Sequence, residues 1–234
     1  MSRLDLVLPA LRGALSLVSP CDCAGCGLGD RELCEDCARR LCPRVAEGAL
    51  PDGTPLRTAL VYDGVVRDVL IAYKEQGRLR LGRRFGPALA AALDAWPGVP
   101  LLLVPSSAAG RRRRGYEPVE LIARAAARPF CRPGLRLRRA TGVQKGRTRA
   151  ERALARHGSM RASRRLSGIT VVVVDDVSTT GATLAEAVRA ARAAGAEVVG
   201  ACAVAAVPLA VRRSAAPATA ALASSLNVDG QSGE

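Results

Sequence analysis

Hydrophobic and polar positions in this chain follow two rhythms, short unbroken apolar runs and longer helical ones. The clearest unbroken run is Val171 to Val174, four β-branched residues that read as a strand buried on both faces of a parallel sheet. A strand over 169–175 leads through a polar loop into an alanine-rich helix, about Ala182 to Ala194, which Gly195 stops. Glu197 to Val207 is a further strand. Upstream, Leu56 to Tyr62 reads as a strand, Asp63-Gly64 as a turn and Val65 to Tyr73 as a helix ending at Lys74-Glu75-Gln76-Gly77. A second helix spans about Leu79 to Trp96 before Pro97-Gly98. Pro100 to Pro105 is a short buried strand, Ser106 to Gly115 a loop, and Tyr116 to Arg128 a helix with Pro118 in its first turn. The stretch from Pro129 to Gly168 is basic and weakly periodic, with a mobile loop at Gln144 to Thr148 and a helix at Glu151 to Arg156. Pro43 to Pro55 reads as a linker, and beyond Arg213 the absence of periodicity predicts a disordered tail, 213–234. Strands alternating with helices predict an α/β fold, a parallel sheet flanked by helices.

Composition adds limits. With 49% hydrophobic but only 3% aromatic residues, the core must be built from Val, Leu and Ala. A length of 234 residues suffices for one α/β domain and a small accessory module. The opening segment, 1–19, is apolar but interrupted by Asp5, Pro9 and Arg12, so it fits neither a secretory signal nor a transmembrane segment. The formal charge of +14 is uneven. Between Leu103 and Gly168 lie 18 Lys and Arg against three acids, Glu117, Glu120 and Glu151, so the whole excess falls in the middle of the chain. A localised excess calls for an anionic partner, a diphosphate or a nucleic acid; the plainer alternative is a solvated face of arginines.

Six of the eight cysteines fall between Cys21 and Cys42. Cys23 and Cys26, then Cys34 and Cys37, form two CxxC pairs separated by seven residues, with Gly25 and Gly27 flanking the second thiol. Four thiolates at this spacing can surround one structural Zn²⁺ and leave it no open position for catalysis. Cys21 or Cys42 can substitute in the ligand set, and disulfides are the competing reading. Cys131 and Cys202 read as small buried residues. Reduced cysteines make the cytoplasm the default compartment.

Candidate chemistry concentrates after the Val171–Val174 run. Asp175 and Asp176 stand at the carboxyl end of a strand, where open α/β sheets place their ligands. Val177, Ser178, Thr179, Thr180, Gly181, Ala182 and Thr183 then supply hydroxyls, a permissive glycine and the amides of a helix N-terminus, which favours a phosphate. Carboxylates for sugar hydroxyls beside a phosphate cradle describe a binder of a ribose phosphate. The loop has no Walker Gly-Lys-Ser/Thr.

This segment resembles the signature of type I phosphoribosyltransferases. The resemblance implies that Asp175 and Asp176 are the catalytic pair gripping the ribose hydroxyls of 5-phosphoribosyl 1-diphosphate (PRPP), and that residues 177–183 complete the PRPP site. Together with the cysteine pairs, the chain resembles the ComF-type competence-protein family over about residues 10 to 208. The matching pieces are Tyr62 to Arg67, Leu70-Ile71, Lys74, Gly77, Val104-Pro105, Arg114-Gly115-Tyr116, Gln144 and Glu151-Arg152. The resemblance implies a diphosphate loop at Pro105, Ser106 and Ser107 with Arg114 and Lys74 nearby, Mg²⁺ bound with PRPP, and Arg67 as a further anion contact. Arg147, Arg149 and Arg152 would close over the site, while His157 is incidental. It further implies PRPP or a ribose 5-phosphate as ligand, and single-stranded DNA or competence and helicase-type proteins as partners; within the basic segment, Arg111 to Arg114 are the candidate DNA contact. The implied domains are a four-cysteine zinc module at 20–43 and a phosphoribosyltransferase-like domain at 56–210. Two departures stand out: Glu117-Pro118 where the family has Asn-Gln, and Ala153 to His157 where it has an Asn. Glu117 would repel a diphosphate.

Overall fold

The computed structural model describes residues 22–138 and 158–207. The expected segment 1–19, Cys21, the loop at 144–148 with Arg147, the helix over 151–156 with Arg149 and Arg152 beside it, His157 and the tail 213–234 lie outside the described residues.

The element order is α1 (Glu35–Arg40), β1 (Ala46–Ala49), β2 (Pro55–Val61), α2 (Gly64–Glu75), a 3₁₀ helix (Leu79–Phe85), α3 (Gly86–Ala92), β3 (Leu101–Leu103), α4 (Ala108–Arg114), α5 (Pro118–Ala125), β4 (Leu135–Leu137), β5 (Met160–Ala162), a 3₁₀ turn (Arg164–Leu166), β6 (Thr170–Ser178), α6 (Ala182–Arg192) and β7 (Glu197–Ala206). Five strands form one sheet in the order β1-β2-β7-β6-β3; β1 pairs antiparallel with β2, and the other pairings are parallel. The short strands β4 and β5 make a separate antiparallel pair.

The valine run behaves as its composition demands. Val171, Val172, Val173 and Val174 are all fully buried. Successive strand residues face opposite sides, and the two sides have different covers. Val172 and Val174 join Cys202 and Val204 under α2, the first 3₁₀ helix, α3 and α5. Val171 and Val173 join Ala201 and Ala203 under α6 and the β4–β5 pair. Burying each valine side chain contributes roughly 1.5–3 kcal/mol, so this strand anchors both layers.

Four expectations need correction. Pro43 to Pro55 is no free linker: Ala46–Ala49 adds an antiparallel edge strand to β2, closed by a turn in which Gly53 takes φ +81°. The expected helix from Leu79 to Trp96 is a 3₁₀ helix followed by α3, because Gly86 packs against the Ala125 backbone too closely for any side chain (2.6 Å from a Cβ placed there) and Pro87 restarts the helix. Ser106 to Gly115 is largely helical. Ser107 caps α4 by accepting from the Gly110 N–H at 3.0 Å, and Gly115 ends it in the left-handed conformation (φ 76°). The strand expected over 169–175 continues to Ser178, because β7 runs alongside as far as Ala206 and supplies partners.

Candidate functional site

The site sits where β6 and β3 leave the sheet side by side. Leu103 pairs with Val174, and the Val104 N–H donates to the Val174 carbonyl at 2.9 Å. The chain that follows β3, from Pro105, therefore starts beside the acid pair.

Asp175 and Asp176 are 8% and 9% exposed, which is unusual for carboxylates. The Asp175 Oδ1 accepts from the Asp176 N–H at 2.8 Å. Strand alternation parts the two acids: Asp175 lines the small cavity of the 177–184 loop, whereas Asp176 meets Lys74 of α2, with Nζ to Oδ2 at 2.8 Å. Burial pulls the Lys74 ammonium down, but Asp176, reinforced by Asp175, holds its pKa above the ordinary lysine value. Lys74 thus stays charged and allows two buried carboxylates to stand adjacent.

The next loop is held open by Gly181. Its φ of 74° is a glycine conformation, and a Cβ there would lie 3.1 Å from Leu50 Cδ2. Gly181, the N-cap residue of α6, has no side chain to cap it, and the Thr180 hydroxyl accepts from the Ala182 N–H at a long 3.4 Å. The Ser178 hydroxyl is buried with no hydrogen-bond partner among the described residues. A buried orphan oxygen beside a helix N-terminus fits an anion with oxygens to accept its proton. The enclosed space is only about 10 Å³, room for one water, so an anion would seat on the open side of the loop.

The loop after β3 differs. The Ser106 N–H donates to Glu117 Oε2 at 3.1 Å, and Arg114 Nη2 donates to Ser106 Oγ at 3.0 Å. Arg114 also pairs with Glu75 at 3.5 Å, Arg113 pairs with Glu75, and Arg111 lies 3.6 Å from Glu117. Gly110 allows Arg114 to fold back, since a Cβ there would lie 2.7 Å from its guanidinium. Pro105, Ser106, Ser107, Arg114 and Lys74 are therefore brought to one end of the sheet with Asp175 and Asp176. Arg67 instead pairs with its neighbour Asp68 at 3.0 Å on an exposed face. Glu75 was not anticipated; nothing in the sequence but its place beside Lys74 pointed to it.

The four cysteines converge as their spacing predicts. The thiol sulfurs of Cys23, Cys26, Cys34 and Cys37 lie within 4.8 Å of one another. Backbone N–H groups of Cys34 and Cys37 point at Cys23 Sγ (3.3 Å) and Cys34 Sγ (3.5 Å), as in knuckles that stabilise thiolates. A Cβ on Gly25 would lie 2.7 Å from Cys37 Sγ, so glycine is needed for this closure. Burial opposes ionisation of Cys23, yet amide donors from Cys34, Gly25 and Cys26 bring its pKa down to about 6, while burial and the neighbouring thiols push Cys37 up. Four crowded thiols cannot all ionise without a cation, and this donor set suits Zn²⁺. Cys42 is exposed and outside the cluster. Cys202 is fully buried, its thiol pushed up to about 12.

A larger groove, about 1230 Å³, lies elsewhere, between the cysteine module and α5. Glu32, Arg80, Arg83, Arg84, Leu121 and Arg124 help to line it. The exposed Arg80, Arg83 and Arg84 have no ion pair among the described residues. Among those residues, too, no helix is long and apolar enough to cross a membrane.

No curated protein gives a significant sequence match. Among solved structures, the chain is similar to a phosphoribosyltransferase from Corynebacterium diphtheriae, with 21% identity over 72% of this chain and 79% of that one and a TM-score of 0.34. It is also similar to the orotate phosphoribosyltransferase of Mycobacterium tuberculosis H37Rv in complex with PRPP, with 22% identity over 59% of this chain and 64% of that one and a TM-score of 0.31. The sequence profile of the phosphoribosyl transferase domain matches residues 79–224, well over half of the chain, and this protein belongs to that family.

Proposed function

We propose that this chain is a ComF-type protein that binds a ribose 5-phosphate or PRPP at the end of β6 and acts in nucleic-acid handling. The observation that carries the ligand is the buried acid pair followed directly by a helix N-terminus whose N-cap is glycine, with a buried Ser178 hydroxyl that has no partner among the described residues. In this reading Asp175 and Asp176 accept from the ribose hydroxyls. Ser178, Thr179, Thr180, Gly181 and Thr183 surround the 5-phosphate, with Val177 and Ala182 contributing backbone. Mg²⁺, which takes oxygen ligands and keeps several waters, would accompany a diphosphate. If the site turns over, a nitrogen nucleophile adds to C1 as the C1–O bond to diphosphate breaks and the electron pair leaves with the diphosphate. Positioning and charge stabilisation would then carry the rate. The alternative is a PRPP-sensing module without turnover. The zinc of the 20–43 module is structural.

Thermal unfolding tests the ligand. Millimolar ribose 5-phosphate, or PRPP with Mg²⁺, raises the melting temperature, and the double substitution Asp175→Asn, Asp176→Asn abolishes the rise. Absence of a shift with both ligands in the parent protein rejects the reading.

The nucleic-acid part rests on a different observation, the unpaired arginines of the groove beside the cysteine module. Three exposed cations without an ion pair among the described residues suit a phosphate backbone. The ion-paired Arg111, Arg113 and Arg114 do not, which moves the expected contact away from Arg111 to Arg114.

A further inference from the structure

Glu117 occupies a position that an anionic ligand would otherwise take. The Ser106 amide, on the loop that leaves β3 beside the acid pair, donates to its carboxylate at 3.1 Å. The two serine hydroxyls of this loop are also engaged by the protein itself. Ser106 Oγ accepts from Arg114 at 3.0 Å, and Ser107 Oγ caps α4 at 3.0 Å. The two nearest guanidinium groups are met by carboxylates, Arg114 by Glu75 at 3.5 Å and Arg111 by Glu117 at 3.6 Å.

The placement of Glu117 is built in. On one side Gly115 ends α4 with φ 76°, and the Tyr116 hydroxyl donates to the Tyr73 carbonyl. On the other, the buried Pro118 opens α5 and its carbonyl accepts from the Tyr73 hydroxyl at 2.8 Å. Both neighbours are thus tied to α2, the helix that carries Lys74. The carboxylate between them is only about a quarter exposed. Screening by water is limited there, so a second anion at the same amide meets strong repulsion. In the 178–183 loop on the neighbouring strand, by contrast, the buried Ser178 hydroxyl has no hydrogen-bond partner among the described residues.

We infer that Glu117 is a specificity-determining residue that stands in for an anion at the Pro105–Ser107 loop, so that the site selects 5-phosphorylated ribose whose C1 substituent is uncharged over ribose carrying a C1 diphosphate. The inference rests on the ribose-phosphate reading above. It divides the site into an open phosphate end and an internally neutralised C1 end.

Isothermal titration of the full chain with ribose 5-phosphate and, separately, with PRPP and Mg²⁺ tests it in the parent, in Glu117→Gln and in Glu117→Ala. Removing the charge should tighten PRPP tenfold or more while ribose 5-phosphate changes less than threefold, so the ratio of the two dissociation constants falls at least threefold. A smaller fall in both variants overturns the inference while leaving the ribose-phosphate site standing. Binding of neither ligand to the parent instead overturns the site itself. Melting temperatures of both variants are measured first, and the one within a few degrees of the parent is read.

Discussion

Two loops leave adjacent parallel strands of this sheet, and they treat their polar groups in opposite ways. After β6, the Ser178 hydroxyl is buried without a partner among the described residues, and the helix that follows starts from a glycine N-cap. After β3, the amide of Ser106, the hydroxyls of Ser106 and Ser107 and three of four consecutive arginines are engaged by the protein's own groups. A buried polar group without a partner costs about 1–3 kcal/mol, so the first loop carries a cost that a ligand can relieve. The second carries such a cost only at Arg114 Nε, which is buried without a hydrogen-bond partner among the described residues although its Nη2 is engaged. One motif-bearing loop is thus prepared for an anion, and its neighbour already holds one.

The largest effect that would break this contrast is at Gly181. Gly181→Val forces a β-branched residue into φ 74° and against Leu50, 3.1 Å from the added Cβ. Such strain costs roughly 1–3 kcal/mol. Ribose 5-phosphate affinity, read by calorimetry, should fall at least tenfold; unchanged affinity would remove the 178–183 loop from the site. A second, intermediate test asks which arginines are available to a partner. Neutralising Arg80, Arg83 and Arg84 to Gln should lower the salt dependence of single-stranded DNA binding by about 2 in log–log slope, at about 0.7 per phosphate contact. The same change at Arg111, Arg113 and Arg114 should do less, since these guanidinium groups are met by Glu75 and Glu117. Equal effects would mean that the second loop's ion pairs open on binding.

The smallest effect concerns what supports the open loop from below. Glu186 of α6 accepts from the Met160 N–H at 2.9 Å and pairs with Arg189 at 2.7 Å, tying the helix to β5. Burial raises its pKa, but Arg189 and the Met160 amide outweigh burial and hold it below the ordinary glutamate value of 4.5. Its stabilisation is therefore complete above about pH 4.5 and is lost as pH falls through the lowered value. Urea midpoints should decline on acidification below pH 4.5, and Glu186→Gln should flatten that decline. An identical slope in the variant would show that other carboxylates dominate.

Much of the layout was legible in the sequence because the signals were local. Four valines with no polar interruption can only be a strand covered on both faces, and two CxxC pairs with adjacent glycines bring four sulfurs within 4.8 Å. The expectations that failed concern contacts distant in sequence. Pro43 to Pro55 looked like a linker because its composition favours turns, yet an edge position beside β2 supplies the hydrogen bonds of a strand. The arginine run looked like a free cationic patch, because sequence alone does not show Glu75 arriving from α2, 38 residues away from Arg113.

By itself the sequence determined the parallel sheet, the four-thiol cluster and the order of acids, hydroxyls and glycine at the end of β6, each set by neighbouring residues under steric and hydrophobic rules. Tertiary structure alone decided which charges remain available. Coulomb attraction depends on distance through space, and folding placed Lys74 on Asp176, Glu75 on Arg114 and Glu117 on the Ser106 amide while giving Arg80, Arg83 and Arg84 no ion pair among the described residues.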